Sequence, residues 1–164
     1  MEMLEVKLEG LALDMTTNTP VVMLSPQGQD KVLPIWIGHA EAWAIAMELS
    51  GVGSKRPLTH DLLKHVIETL KAHVDRVEIT ELREQTFYAV VHLTCDGAKH
   101  TLDARPSDSI ALALKVGCSI YVNSELFETT SRPTQEQPPM PTDRESLRDR
   151  LRKINPEDFG KYSL

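Results

Sequence analysis

Cysteine is scarce: 164 residues contain two, Cys95 and Cys118, and they do not form a CxxC pair. That excludes a disulfide scaffold and a thioredoxin-type redox site, and it makes a reduced, cytoplasmic setting the expectation. No apolar run approaches the roughly 20 residues needed to cross a bilayer. The start, MEMLEVKLEG, alternates charged and apolar residues where a secretory signal would show a basic and then an apolar segment. A membrane role is therefore not expected. A Gly-rich phosphate loop, a nucleophile elbow and an HExxH helix are all missing. Their absence removes support for loop-type nucleotide hydrolysis, serine hydrolase chemistry and zinc-protease chemistry, and nothing suggests an organic cofactor.

Positive charge is also in short supply. The formal net charge is -6, and residues 1–128 hold 11 Lys or Arg against 18 Asp or Glu, a balance of -7. Such a surface repels a phosphate backbone, so a broad electrostatic grip on nucleic acid is not expected. Phosphate chemistry would need local cations or a metal.

What is present is enough for one core, since 41% of the residues are hydrophobic. Met3 to Leu13 alternates Leu4, Val6 and Leu8 with Glu5, Lys7 and Glu9, the period of a half-buried strand. Turns at Thr17–Pro20 and Ser25–Gly28 separate it from strands at Val21–Leu24 and Val32–Ile37, the last pushed towards an edge or bulge by Pro34. From Glu41 the period becomes helical, with Ala42, Ile45, Ala46 and Leu49 on one stripe and Gly51 as its end. A second helix is expected from an N-cap at Thr59, burying Leu63, Val66, Ile67, Leu70 and Val74. Two hairpins follow, around Arg83-Glu84-Gln85 and Asp96-Gly97, with the last strand running from Lys99 to Arg105 and carrying Asp103 and Arg105 on one face.

The segment DARPSDSIALALKVG, from Asp103 to Gly117, stands apart. Ile110 to Leu114 and Val116 leave the third helix without a polar face, so it should be buried, with its polar first turn held in place. A short strand at Ile120–Val122 completes residues 1–128. The fold class expected is α+β, a mostly antiparallel, bent sheet covered by three helices. Residues 129–141 read as a proline-rich linker and residues 142–164 as a short helical tail, opened by a capping box at Thr142 and carrying Leu147, Leu151 and Ile154 along one side.

Polar residues collect at the starts of all three helices: Glu41; Arg56, His60 and Asp61; Asp103, Arg105, Ser107 and Asp108. Helix starts offer free N–H groups to anions, arginines add charge, and carboxylates with a histidine can hold a divalent ion. Cap chemistry also accounts for Asp61, Ser107 and Asp108 with no reaction at all. It leaves Asp103 and Arg105 unexplained. Cys95 and Cys118 sit in or beside apolar strands, as core residues do.

The stretches I-G-x-x-E-A at 37–42, R-P-x-T-H-D-L at 56–62 and D-x-R-P-S-D-x-I-A-L-A at 103–113, in that order, resemble the bifunctional nuclease family, known in plants and bacteria. The resemblance covers about residues 1–128 and implies an α+β fold, a homo-oligomer, most simply a dimer, and a DNA or RNA substrate. Taken with the helix-start residues, the expectation is a divalent-metal-dependent nuclease in which Asp103 and Asp108, with Glu41 or Asp61, hold Mg²⁺ or Mn²⁺. Arg56, Arg105 and Ser107 would bind the substrate, and His60, Asp103, Arg105 and Asp108 would carry catalysis. The competing expectation is a non-catalytic oligomeric module that binds a small anion or a protein partner, with the same residues acting as caps and ion pairs.

Overall fold

A computed structural model describes residues 1–129, 145 and 151–153. Eight strands and four helices appear among them: β1 (Met3–Asp14), β2 (Thr19–Pro26), β3 (Leu33–Trp36), α1 (His39–Ser50), α2 (Thr59–Thr69), β4 (Ala72–Arg83), β5 (Thr86–Cys95), β6 (Ala98–Ala104), α3 (Pro106–Val116), β7 (Ser119–Asn123), α4 (Glu125–Thr129) and β8 (Leu151–Lys153). The strands form one sheet in the order β3-β2-β1-β7-β4-β5-β6, with β8 added to the far end of β1. Every pairing is antiparallel except β4 with β7. That exception follows from connectivity, because α3 carries the chain from the β6 edge back over the sheet to β7.

β1 bends where its register against β2 slips between Leu8 and Gly10, and Gly10 has a φ of 153°. Its first half pairs with β7 and its last residues with β8. Pro34 lies on the edge strand β3, where no second neighbour needs its missing N–H. Val22, Leu24, Ile35, Val77, Ile79 and Val122 fill the core beneath α1 and α3, each essentially inaccessible.

α3 is the centre of the helical layer. It packs on α1, α2, β4, β5 and β7, while α1 lies over β1 and β2. Ile110, Ala111, Leu112 and Ala113 are all buried, as an apolar helix without a polar side requires. α1 and α3 both end on a left-handed glycine, Gly51 and Gly117, whose N–H bonds back to a carbonyl of the last turn.

α2 departs from expectation. It ends at Thr69, and Val74 belongs to β4; of the predicted stripe only Ile67 is buried in the helix, while Leu63, Val66 and Leu70 are exposed. The cause is position: α2 lies at the end of the helical layer, where only one of its sides meets α3. Thr59 is the first helical residue, and the cap is Leu58, whose N–H donates to Asp61 Oδ2 at 2.9 Å. At the C-terminus, Leu151–Lys153 form a strand where a helical stripe was expected, because Leu151 meets the open side of β1 at Asp14. Glu145 is helical, whereas the linker from 130 and the remaining tail lie outside the described residues.

The two hairpins close in the same way. Asp96 and Gly97 have φ of 50° and 78°, and Glu84 and Gln85 have 48° and 62°. Both are two-residue turns with left-handed central residues, suited to Asn-Gly or Asp-Gly. Glu84 and Gln85 carry that conformation at a cost of about 1 kcal/mol each. The double substitution Glu84→Asn, Gln85→Gly should raise the unfolding free energy by about 1 kcal/mol in a urea titration; an unchanged or lower midpoint would show that the turn stores no such strain.

Candidate functional site

The three helix starts are tied together by charge. Arg105 is the N-cap of α3, its backbone extended and Pro106 following at the first helical position. Its Nε donates to Asp108 Oδ2 at 2.8 Å, one turn on, and its Nη2 donates to Glu41 Oε1 at 2.7 Å in the first turn of α1. The other oxygen of Asp108, Oδ1, lies 3.0 Å from His60 Nε2 at the start of α2. Glu41, Arg105, Asp108 and His60 thus form one continuous chain. Gly38 belongs to it indirectly: a Cβ there would run into Glu41 Oε2 and push that carboxylate away from Arg105.

A second chain runs alongside. Lys115 Nζ lies 2.7 Å from Asp61 Oδ1 and 2.9 Å from Glu48 Oε2, joining the end of α3 to the start of α2 and the end of α1. Neighbouring residues of α2, His60 and Asp61, therefore grip α3 at positions 108 and 115, two turns apart.

Burial would raise the Asp108 carboxyl, but hydrogen bonds from Arg105 and His60 outweigh it and hold the group below its ordinary value. Asp61 is likewise lowered: burial opposes ionisation, while Lys115 and the Leu58 N–H favour it. Burial pulls Lys115 down, yet Asp61 and Glu48 leave it raised. Arg105 is raised by its bonds to Asp108 and Glu41. Burial pushes the Cys118 thiol up, as befits a core residue and not a nucleophile.

His60, itself almost fully buried, lines a cleft of about 350 Å³ between the end of α1, the loop 52–58 and the start of α2. Lys55, Arg56, Asp61, His65 and Lys115 also line it. Lys55 and Arg56 are exposed and form no ion pair among the described residues.

The expected site is thus assembled in part. Arg56, His60 and Asp61 share the cleft, and Asp108, Arg105 and Glu41 connect to it through His60. Ser107 is buried in the first turn of α3, which withdraws it from a substrate. Asp103 is elsewhere. β6 ends at Ala104, and Asp103 pairs in register with Val90, between the pairs Ala89–Ala104 and Val91–Leu102. Ala89 and Val91 point into the core under the helices, so Asp103 faces the opposite side of the sheet. Arg105 is free of that alternation because the chain has already turned into α3. The carboxylates expected to share a metal are engaged separately: Glu41 and Asp108 meet at Arg105, Asp61 is held by Lys115, and Asp103 is across the sheet. Among the described residues no group of three or more His, Cys, Asp or Glu could hold a metal ion.

Glu48, Lys115 and Gly38 were not anticipated. Lys115 had a signal, as the single charge within the apolar run of α3; Glu48 had none, lying on a helix face that only the packing of α1 against α3 selects.

A family model described as the bifunctional nuclease domain matches residues 21–135. The chain belongs to this family. An uncharacterised protein of Mycobacterium tuberculosis is 45% identical over 123 residues, covering 75% of this chain and 73% of that protein. Bifunctional nuclease 1 of Oryza sativa subsp. japonica is 26% identical over 116 residues, and Bifunctional nuclease 2 of Arabidopsis thaliana 24% over 112. These alignments take in 69% and 66% of this chain but only 35% and 34% of the plant proteins. The bifunctional nuclease domain here spans about a third of the length of those relatives. No helix among the described residues is long and apolar enough to cross a membrane.

The two chains make stability depend on pH in a defined way. The folded pKa values of Asp61 and Asp108 are lowered, so their contribution is complete above the unfolded value of about 3.9 and is lost as pH falls through the folded values. Lys115 is raised, so its contribution is complete below about 10.4 and is lost as pH climbs through its folded value. Lys115→Met should cost on the order of 1 kcal/mol at neutral pH, these groups being partly solvated. In thermal melts, the gap between wild type and variant should close below about pH 4. Parallel curves from neutral to acid pH would show that the clamp contributes no charge-dependent stability.

Proposed function

We propose that this domain hydrolyses phosphodiester bonds of nucleic acid in the cleft beside His60. The observation that carries the reading is the pair of buried His60 with half-buried Asp108, opening on a cleft whose rim holds two cations, Lys55 and Arg56, with no ion pair among the described residues. An ionised carboxylate only accepts hydrogen bonds, so Asp108 makes Nε2 the protonated nitrogen of His60 and leaves Nδ1 to act as a base. Arg105 keeps Asp108 ionised and Glu41 keeps Arg105 in place, which makes both of them positioning residues. Arg56 and Lys55 receive the phosphate. Water attacks phosphorus, its proton passes to Nδ1, the bond from phosphorus to the leaving sugar oxygen breaks, and that oxygen takes a proton from solvent. The printed names of the plant relatives support the reaction class. No step is assigned to a metal.

A second reading has its own support. Arg105 and Lys115 each meet two carboxylates, of which Glu41, Glu48 and Asp61 bridge from neighbouring helices. A module that binds an anion at Lys55 and Arg56 without cleaving it would need the same clamps.

Labelled single-stranded DNA and RNA, incubated with the full chain in Mg²⁺, Mn²⁺ or chelator, separate the two. Wild type should cleave, and chelator should leave the rate largely intact. His60→Ala should lower the rate about 100-fold or more, and Arg56→Ala should act mainly on KM. Binding without cleavage by wild type, or full activity in a folded His60→Ala protein, would give the case to the binding module.

A further inference from the structure

The cleft beside His60 holds a second histidine. His65, five residues further along α2, is exposed and lines the same cleft as His60, Lys55 and Arg56. Of the six histidines in the chain only these two line it, so the pairing is particular to this place. The two rings differ in how they are held. His60 is buried, with Nε2 against Asp108, whereas the hydrogen bonds around it belong to His60 and Asp61, and none among the described residues engages the His65 ring. His65 and Asp61, four residues apart, share one face of the helix. Burial raises the Asp61 carboxyl, while Lys115, the Leu58 N–H and, last, the nearby charge of His65 hold it below its ordinary value.

Helical spacing separates the two imidazoles in a useful way. Five residues at a rise of about 1.5 Å place their Cα atoms roughly 7.5 Å apart along the axis, and the same five residues turn them by about 140° around it. In-line displacement needs proton partners on two sides, because the attacking and leaving oxygens lie opposite one another across phosphorus. Each partner must stand within about 2.6–3.2 Å of its oxygen, so two such contacts with a phosphate between them fill a gap of the same order as that spacing. Lys55 and Arg56, in the loop that leads into α2, draw the phosphate to this end of the helix.

We propose that His65 is the general acid of the reaction, giving its proton to the sugar oxygen that leaves phosphorus. The inference rests on the reading of this cleft as a phosphodiester-cleaving site. As water forms its bond to phosphorus, His60 Nδ1 takes the water proton. The bond from phosphorus to the sugar oxygen breaks with its electron pair on that oxygen, and the proton of the His65 imidazolium passes to it. His65 is then neutral and His60 protonated. Exchange with solvent, which reaches exposed His65 directly, restores both rings, so solvent remains the ultimate source of the leaving group's proton.

Oligonucleotides with sulfur in place of the bridging 5′ or 3′ oxygen at one linkage test the assignment, because a thiolate departs readily without being protonated. In whichever of DNA or RNA wild type cleaves, His65→Ala and His65→Gln should each lower kcat about 100-fold or more at the ordinary linkage. Both should cleave the matching sulfur linkage at close to the wild-type rate. His60→Ala should slow both linkages, since the attacking water still needs its base. Thermal melts matching wild type establish that the His65 variants are folded, as expected for an exposed side chain. Full activity of both variants on the ordinary linkage, or an equal loss on oxygen and sulfur in a folded variant, would overturn the assignment. A wild type that cleaves neither linkage would instead overturn the hydrolytic reading of the cleft, and the assignment with it.

Discussion

Burying a helix that has no polar side forces a decision about the charges at its ends. α3 is covered by α1, α2 and the sheet; at its start the Arg105 side chain lies at the surface, 64% exposed, while near its end Lys115 is largely buried, at 13%. Each is answered by carboxylates from the neighbouring helices: Glu41 and Glu48 from α1, Asp61 from α2, and Asp108 from α3 itself. The motif residues at 41, 61, 105 and 108 are in this sense the ionic hardware of one packed helix. The placement of His60 depends on it, because the imidazole is anchored to the carboxylate that Arg105 holds.

How far residues alone lead can be read element by element. Strand periodicity locates β1, β5 and β6 to within a few residues, and the Asp96-Gly97 turn is recognisable because only certain residues accept a left-handed backbone. The apolar run at 110–114 announces a buried helix, and it is one. The α2 stripe misleads because amphipathic spacing says that one face is apolar, not that something covers it; Leu63, Val66 and Leu70 have the pattern of a core and the exposure of a surface. The parallel β4–β7 pair was not legible, since strand order depends on where α3 crosses the sheet.

The candidate site divides along the same line. Helix starts are local features, so Glu41, His60, Asp61, Arg105 and Asp108 stand out in the chain, and four of them, all but Asp61, prove to be a single connected unit. Which side chains share a face is decided by one residue. Ending β6 at Ala104 instead of Arg105 leaves Asp103 under strand alternation and releases Arg105 into the helix cap. That shift separates two residues that look like partners in the sequence, and it removes Asp103 from any shared carboxylate site.

The charge of the clamps bears on the chemistry as well as the packing. Each holds one cation between two carboxylates and so carries a net charge of -1 when His60 is neutral. Neither attracts phosphate, in a domain whose overall balance is already acidic. Attraction falls to Lys55 and Arg56 at the rim of the cleft, and it is short in range, because exposed charges are screened beyond about 8–10 Å. A proton taken by His60 then brings the first clamp to neutrality. Glu41 bears on Asp108 from a distance, because both carboxylates share the guanidinium of Arg105.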